Sequence, residues 1–363
     1  MRVAYDAAPL LNPLTGVGHY AAELYRELRA AEPSLGLLPF AVGRQRSAPP
    51  GLTVRRLKVP ARAAVAGWEV ARFPPGEWLV GRVDAVHGTN FWVPPLQRAN
   101  GVVTIHDLTF LLHPEWCTPP VRRYRWIVPK VLGRSAVVLT PSETVAEQVA
   151  AELSFPRDRI VVTPEGVRAP AATGGSSTGG AAPAVRGDYA LFIGSREPRK
   201  NLDRLVRAFA GLGDLGLGLV IAGPAGWGES DLHEGLNRLG NGVSVTVTGY
   251  LSDAALAATL QAAQVFVFPS LYEGFGLPPL EAMAAGVPVV AARAGSLPEV
   301  LGDAPFWCDP MEEASIADAI RRSVTDGAAR AAAVERGRAR AAGYRWSETA
   351  RLTLDAYRRA ASG

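Results

Sequence analysis

Several residue types are scarce here, and each scarcity excludes something. Lysine occurs only at Lys58, Lys130 and Lys200, so nearly all the positive charge is arginine. Cysteine occurs only at Cys117 and Cys308, which excludes a disulfide scaffold, fits a reducing compartment and leaves no metal-ligand spacing. No apolar run approaches the roughly 20 residues needed to cross a bilayer. The opening Met1-Arg2-Val3-Ala4-Tyr5-Asp6 carries charge where a secretory signal keeps its apolar core, so the expectation is a cytoplasmic chain with at most peripheral membrane contact. A formal net charge of +4 is too weak for a dedicated nucleic-acid binder. No Asp-X-Asp, Walker loop or Ser/His/Asp triad is present, so a carboxylate-held divalent metal is not indicated.

What is there is globular: 363 residues, 48% hydrophobic and 20% charged, a length that suits two domains of about 150–200 residues. Continuously apolar runs alternate with helical patterns, as in parallel sheets covered on both faces. Strands are expected at Val3–Asp6, Asp84–His87, Val102–His106, Ala136–Thr140 and Ile160–Thr163, with helices near 19–31, 119–133 and 143–152. A Gly/Ser/Ala tract from Ala169 then interrupts the pattern. Strands resume at Tyr189–Gly194, Leu217–Ala222, Val243–Thr248, Val265–Pro269 and Val287–Ala292, with helices near 201–211, 230–239, 253–263 and 279–285. The expected fold class is α/β, with two tandem doubly wound Rossmann-like domains facing a cleft. The boundaries are 1–168, a linker at 169–186, 187–343, and a terminal helical segment at 344–363.

The most informative stretch is Ser270-Leu-Tyr-Glu273-Gly-Phe-Gly-Leu-Pro-Pro-Leu-Glu281, followed by Gly286. An apolar strand leads through a Gly-X-Gly turn into a helix, an arrangement whose backbone N–H groups and dipole favour an anion. Glu273 and Glu281 bracket that anion site and suit sugar hydroxyls better than phosphate; Glu281 as a first-turn acid complementing the dipole is the structural alternative. A second loop, Gly194-Ser-Arg196-Glu-Pro-Arg199-Lys200-Asn201, leaves the same sheet edge with cations suited to a diphosphate. Surface charge is the plain alternative.

Glu273 and Glu281 around Gly-Phe-Gly, with the Glu-Pro-Arg-Lys-Asn run, resemble the signature of retaining GT-B glycosyltransferases of family four. His106-Asp107-Leu108 is similar to that family's N-domain histidine segment, Gly16-Val17-Gly18 to its glycine loop, and Pro164-Glu165-Gly166-Val167 to its Asn-Gly-Val turn. The resemblance implies that Lys200, with Arg196 or Arg199, neutralises the donor diphosphate. It implies that Glu281 holds the ribose, and that Glu273 with Gly274, Phe275, Gly276 and Leu277 grips the donor sugar. Tyr250 and Leu251 would lie beside the base, His106 would face sugar and acceptor, Gly16 would lie near the phosphates, and the terminal helix would cross back onto the N-domain. Asn90 and Asp107 are acceptor-side candidates. The implied chemistry is hexose transfer from a nucleotide-diphosphate sugar, GDP-mannose first and a UDP-sugar second, to a glycan or lipid-linked acceptor without a cofactor. Two departures stand out: Ser195 replaces an arginine, and Glu165 replaces the asparagine and reads as structural.

Weaker signals divide. Gly16-Val-Gly18-His-Tyr-Ala21 and Gly211-Leu-Gly213-Asp-Leu-Gly216 match dinucleotide patterns but lack the strand–turn–helix context. His106 alone reads equally as a strand-end histidine, and His87, Thr89 and Asn90 as acceptor-side or capping residues. Arg122-Arg-Tyr-Arg125-Trp-Ile-Val-Pro-Lys130 and Arg55-Arg-Leu-Lys58 suit a peripheral membrane contact or an amphipathic surface. The rival activities are a GT-B-type epimerase, a phosphorylase, whose pyridoxal-binding lysine could only be Lys200, and a non-catalytic sugar-nucleotide scaffold.

Overall fold

The apolar runs assemble into two sheets in which every strand pairing is parallel. In this computed structural model the described residues are 1–11, 15–42, 52–57, 67–68, 72–168, 185–228, 235–236 and 243–362. Most of the expected linker and most of the expected helix near 230–239, together with Lys58, lie outside them. The chain divides into one unit of Met1–Gly166 with Arg345–Gly363, and another of Val167–Tyr344.

The first unit carries β1 (Arg2–Asp6), β2 (Gly36–Val42), β3 (Arg55–Leu57), β4 (Ala85–Gly88), β5 (Asn100–Thr104), β6 (Ser135–Thr140) and β7 (Ile160–Val162) in the order 3-2-1-4-5-6-7. The order reverses between β1 and β4, and sheets of this kind take ligands at the carboxyl ends of the strands flanking such a reversal. The first helix spans Gly16–Ala31, starting earlier than its apolar period suggested. The long helical pattern near 119–133 is two helices, Pro119–Arg122 and Tyr124–Leu132, separated at Arg123. On the second, Val128, Val131 and Leu132 are buried, while Trp126 is exposed with Arg125 over its ring.

The terminal helix, Trp346–Ser362, belongs to this unit: Trp346, Leu354 and Tyr357 join one core with Val3, Tyr5, Leu24 and Leu28. Burying such side chains contributes about 2 kcal/mol apiece. The helix also anchors polar groups. Asn100 Nδ2 donates to the Ala360 carbonyl at 2.7 Å, and Tyr357 OH pairs with His87 Nδ1 at 2.7 Å. His87 Nε2 reaches Thr104 Oγ1 at 2.9 Å, and Tyr20 OH reaches the same hydroxyl at 3.0 Å.

The second unit carries β8 (Tyr189–Ile193), β9 (Gly218–Ala222), β10 (Val245–Gly249), β11 (Val265–Phe268), β12 (Val289–Ala292) and β13 (Phe306–Cys308) in the order 10-9-8-11-12-13. Its reversal lies between β8 and β11. Phe192, Phe266, Phe268, Ile221 and Val290 fill its core. Features here that went unread in sequence include the short helix Leu297–Leu301, β13 and the helices Glu313–Thr325 and Gly327–Ala342. The last of these is Ala- and Arg-rich, so its apolar stripe is faint. Among the described residues no helix is long and apolar enough to cross a membrane.

Burial, reinforced by the neighbouring His106, pushes His87 down to about 3 from an ordinary 6.5. A ring held neutral in the fold contributes stability that is whole above about pH 6.5 and lost as pH falls from there toward 3. Asp6, pushed up to about 6 by burial, works the other way, giving up stability as pH rises from 3.8 through 6. Thermal denaturation across pH 3–7 should show His87→Gln flattening the acid-side loss. Tyr357→Phe should cost about 1–3 kcal/mol by orphaning a buried ring nitrogen.

Candidate active site

At the reversal of the second sheet, the loop after β8 and the loop after β11 are stitched together by the backbone. Leu271 N–H donates to the Arg199 carbonyl at 2.8 Å. Asn201, in the left-handed region at φ 61°, sends its side-chain amide to the carbonyls of Pro269 at 3.0 Å and Pro310 at 2.7 Å. Behind Glu273, Ser296 donates from its N–H to the Glu273 carbonyl at 3.0 Å and from its hydroxyl to the carbonyls of Glu273 and Phe275 at 3.1 Å each. Nothing in the sequence pattern pointed to Ser296; only the fold brings it behind this loop.

These contacts converge the charges. Lys200 Nζ donates to Glu273 Oε1 at 2.6 Å, and Arg199 Nη1 donates to Glu273 Oε2 at 2.7 Å. Arg199 Nε donates to Glu197 Oε2 at 2.9 Å, and Ser195 Oγ to Glu197 Oε1 at 2.5 Å. Lys200 Nζ also stands 4.7 Å over the Phe268 ring. Lys200 and Glu273 are buried, at 6% and 7% exposure. Burial alone would raise the Glu273 carboxyl; Arg199 and Lys200 outweigh it and hold it at about 2. Burial and Arg199 pull Lys200 below its ordinary range, and Glu273 offsets only part of that.

The sequence left open which arginine accompanies Lys200. It is Arg199 that shares Glu273 with the lysine; Arg196 turns to the Gly223 carbonyl beyond β9, at 2.9 Å. Glu273 is thus first an anchor for both cations. Gly276, at φ +108°, begins the helix Leu277–Ala284. A side chain would be strained there, and its Cβ would come within 2.6 Å of Leu297 Cδ2. Because the helix starts at Leu277, Glu281 falls beyond its first turn, which corrects the reading of Glu281 as a first-turn acid. Gly274 and Phe275 occupy the preceding turn, with Phe275 buried. Tyr250 is 62% exposed after β10, and Leu251 is half-buried.

In the first unit, the carboxyl ends of β1, β4 and β5 meet. Thr89 Oγ1 donates to the Asp6 carbonyl at 2.9 Å, and His106 Nε2 meets the Thr89 carbonyl at 2.9 Å. The side-chain oxygen of Asn90 is buried with no protein partner. Asp107 is occupied locally, accepting from Thr109 N–H at 2.9 Å. Gly16 stands exposed at the start of its helix, with open space where a Cβ would be. One reading changes, and one contact is new. His87 is sealed inside the polar network described above, so it lines no acceptor surface. Glu165, in the turn after β7, places its Oε1 3.6 Å from His106 Nδ1.

Residues 182–340 match the family described as glycosyl transferases group 1, and residues 15–166 match the glycosyl transferase 4-like domain. The chain is 30% identical over 402 aligned positions to O-antigen chain mannosyltransferase B of Escherichia coli, covering 99% of this chain and 100% of that one. The chain belongs to the group 1 glycosyltransferases. Among solved structures, sucrose-phosphate synthase from Thermosynechococcus elongatus superposes with a TM-score of 0.75 at 20% identity, covering 98% of both chains. The Anabaena protein HepE, in complex with UDP and glucose, does so with a TM-score of 0.71 at 17% identity, again covering 98% of both. The two-sheet architecture of this glycosyltransferase is therefore that of the GT-B fold.

Replacing Glu273 by Gln should leave the buried Lys200 and the half-buried Arg199 short of a counter-charge and destabilise this glycosyltransferase by about 3 kcal/mol in denaturant titration. Because the Glu273 carboxyl is held below its ordinary 4.5, the stability it confers is whole above that pH and drains as pH falls toward 2. The variant should lack that acid-side loss.

Proposed function

We propose that the enzyme moves a hexose, mannose in the favoured case, from a nucleotide-diphosphate sugar to a hydroxyl of a glycan or lipid-linked acceptor, retaining the anomeric configuration and using no metal. The observation that carries this is the buried Lys200–Arg199–Glu273 cluster at the sheet reversal of the second unit. The anomeric carbon–oxygen bond to the diphosphate breaks, the acceptor oxygen takes its place, and the nucleoside diphosphate and one proton are released. What the protein must supply is compensation for charge growing on the leaving diphosphate, and groups fixed beforehand do this at little reorganisation cost.

Lys200 and Arg199 are such groups, because Glu273 and Glu197 hold them in place before any ligand arrives. The backbone at Gly274–Leu277, opening a helix, adds oriented N–H groups. In this reading Glu281 accepts from the ribose hydroxyls, Tyr250 and Leu251 flank the base, and Glu273 and Arg196 border the sugar and diphosphate. In the first unit, His106 and Asn90 meet sugar hydroxyls, the buried oxygen of Asn90 being matched to a ligand donor. The full-length likeness to an O-antigen mannosyltransferase supports mannose and favours GDP-mannose; the structural likeness to a protein holding UDP keeps a UDP-sugar as the second donor. We place the reaction in the cytoplasm, with the exposed Trp126 and its arginine neighbours as a peripheral membrane contact.

A calorimetric screen of GDP, UDP, ADP and dTDP with their sugars should single out one donor; silence from all would favour a scaffold. Lys200→Ala should cut turnover about 10²-fold or more, and turnover near wild type would remove Lys200 from the chemistry. Glu281→Ala should weaken nucleoside diphosphate binding about tenfold, the cost of an orphaned ribose contact. Activity should survive EDTA; loss restored by manganese would overturn the metal-free reading.

A further inference from the structure

Glu165, which faces His106, has no assigned task. The Thr89 carbonyl, 2.9 Å from Nε2, can only accept, so that nitrogen carries a hydrogen. The ring is clamped edge-on by Tyr20, with centroids 4.8 Å apart, and by Phe91 at 5.9 Å. Its remaining nitrogen, Nδ1, therefore has one direction to face, and 3.6 Å away in that direction is Glu165 Oε1. That separation is too long for a hydrogen bond and too short for indifference. On a neutral ring this sets two acceptors against each other; a ring carrying hydrogen on both nitrogens would offer a donor on that side.

Glu165 is held there deliberately. The Pro164 carbonyl accepts from Thr349 Oγ1 of the terminal helix at 2.5 Å. Gly166 packs so closely on Trp346 that a Cβ would come within 2.2 Å of its backbone nitrogen. The terminal helix thus sets the turn from both sides, and the carboxylate it delivers is 7% exposed. The asparagine that the family resemblance leads one to expect would be shorter by one methylene and uncharged.

We propose that Glu165 and His106 together grip one hydroxyl of a sugar substrate. The hydroxyl oxygen, seated beside the pair at about 2.8 Å from each, accepts from Nδ1–H and donates to the Glu165 carboxylate. Glu165 is on this view a specificity residue, able to demand a hydroxyl where a deoxy position would leave a buried acceptor orphaned. The inference rests on the sugar-transfer reading, and the hydroxyl has two sources, donor or acceptor.

With five histidines in the chain, ring nitrogen resonances of His106 can be assigned in the full-length, histidine-labelled protein. GDP-mannose and methyl α-mannoside serve as donor and acceptor probes, with calorimetry of each run in parallel. A His106 Nδ1 shift with GDP-mannose makes the hydroxyl the donor's; a shift with the mannoside makes it the acceptor's. Glu165→Gln, and Glu165→Ala as a second variant, should weaken the effective ligand at least tenfold while leaving the melting temperature within about a degree of wild type. GDP-mannose binding that leaves the His106 resonance unmoved, with the mannoside equally silent, overturns the role of Glu165 but leaves the transferase reading standing. Binding unchanged in both variants overturns it too, and a chain that binds neither probe nor any other nucleotide sugar of the donor screen overturns both.

Discussion

One carboxylate organises the second unit. Glu273 accepts from Lys200 and Arg199 at once, and those two residues come from a loop more than seventy positions away. Two adjacent cations in a buried setting would repel each other and lose solvation; the shared acid makes their proximity tolerable and aims them. The backbone bonds from Leu271 to Arg199 and from Ser296 to Glu273 are the scaffold on which that ion cluster is held. Its cations are thereby gathered and oriented by the fold itself.

The first unit solves a different problem, how to keep polar groups inside an apolar layer. Its answer is the terminal helix. Tyr357 satisfies His87, Thr349 pins the Pro164 turn, and Trp346 presses on Gly166. The same helix that completes the core also packs on both neighbours of Glu165, the residue that stands 3.6 Å from His106. A substitution at the helix start would be felt at the histidine without touching it.

How much of this was legible beforehand depends on the distance over which the signal acts. Strands such as Val265–Phe268 announce themselves as unbroken apolar runs, and the Gly-Phe-Gly turn before a Pro-opened helix is local chemistry. The short β3 and β13 lack enough residues to show a period, and the Ala- and Arg-rich helix Gly327–Ala342 has little apolar stripe to show. His87 read as an acceptor-side candidate because its partner Tyr357 lies 270 residues away. Glu165 read as a turn residue for the same reason, since its neighbour His106 is brought near only by the sheet.

By itself the sequence determined the α/β alternation, the pair of Gly- and cation-bearing loops, and the two glutamates eight positions apart, because each rests on spacing within a few turns of chain. Only the tertiary structure decided that Arg199 rather than Arg196 joins Lys200, that Glu281 lies past the first helical turn, and that Glu165 faces His106. Those outcomes depend on which strand edges adjoin and on where helices start. Such choices are made by burial summed over a whole domain, and no short stretch of residues encodes that sum.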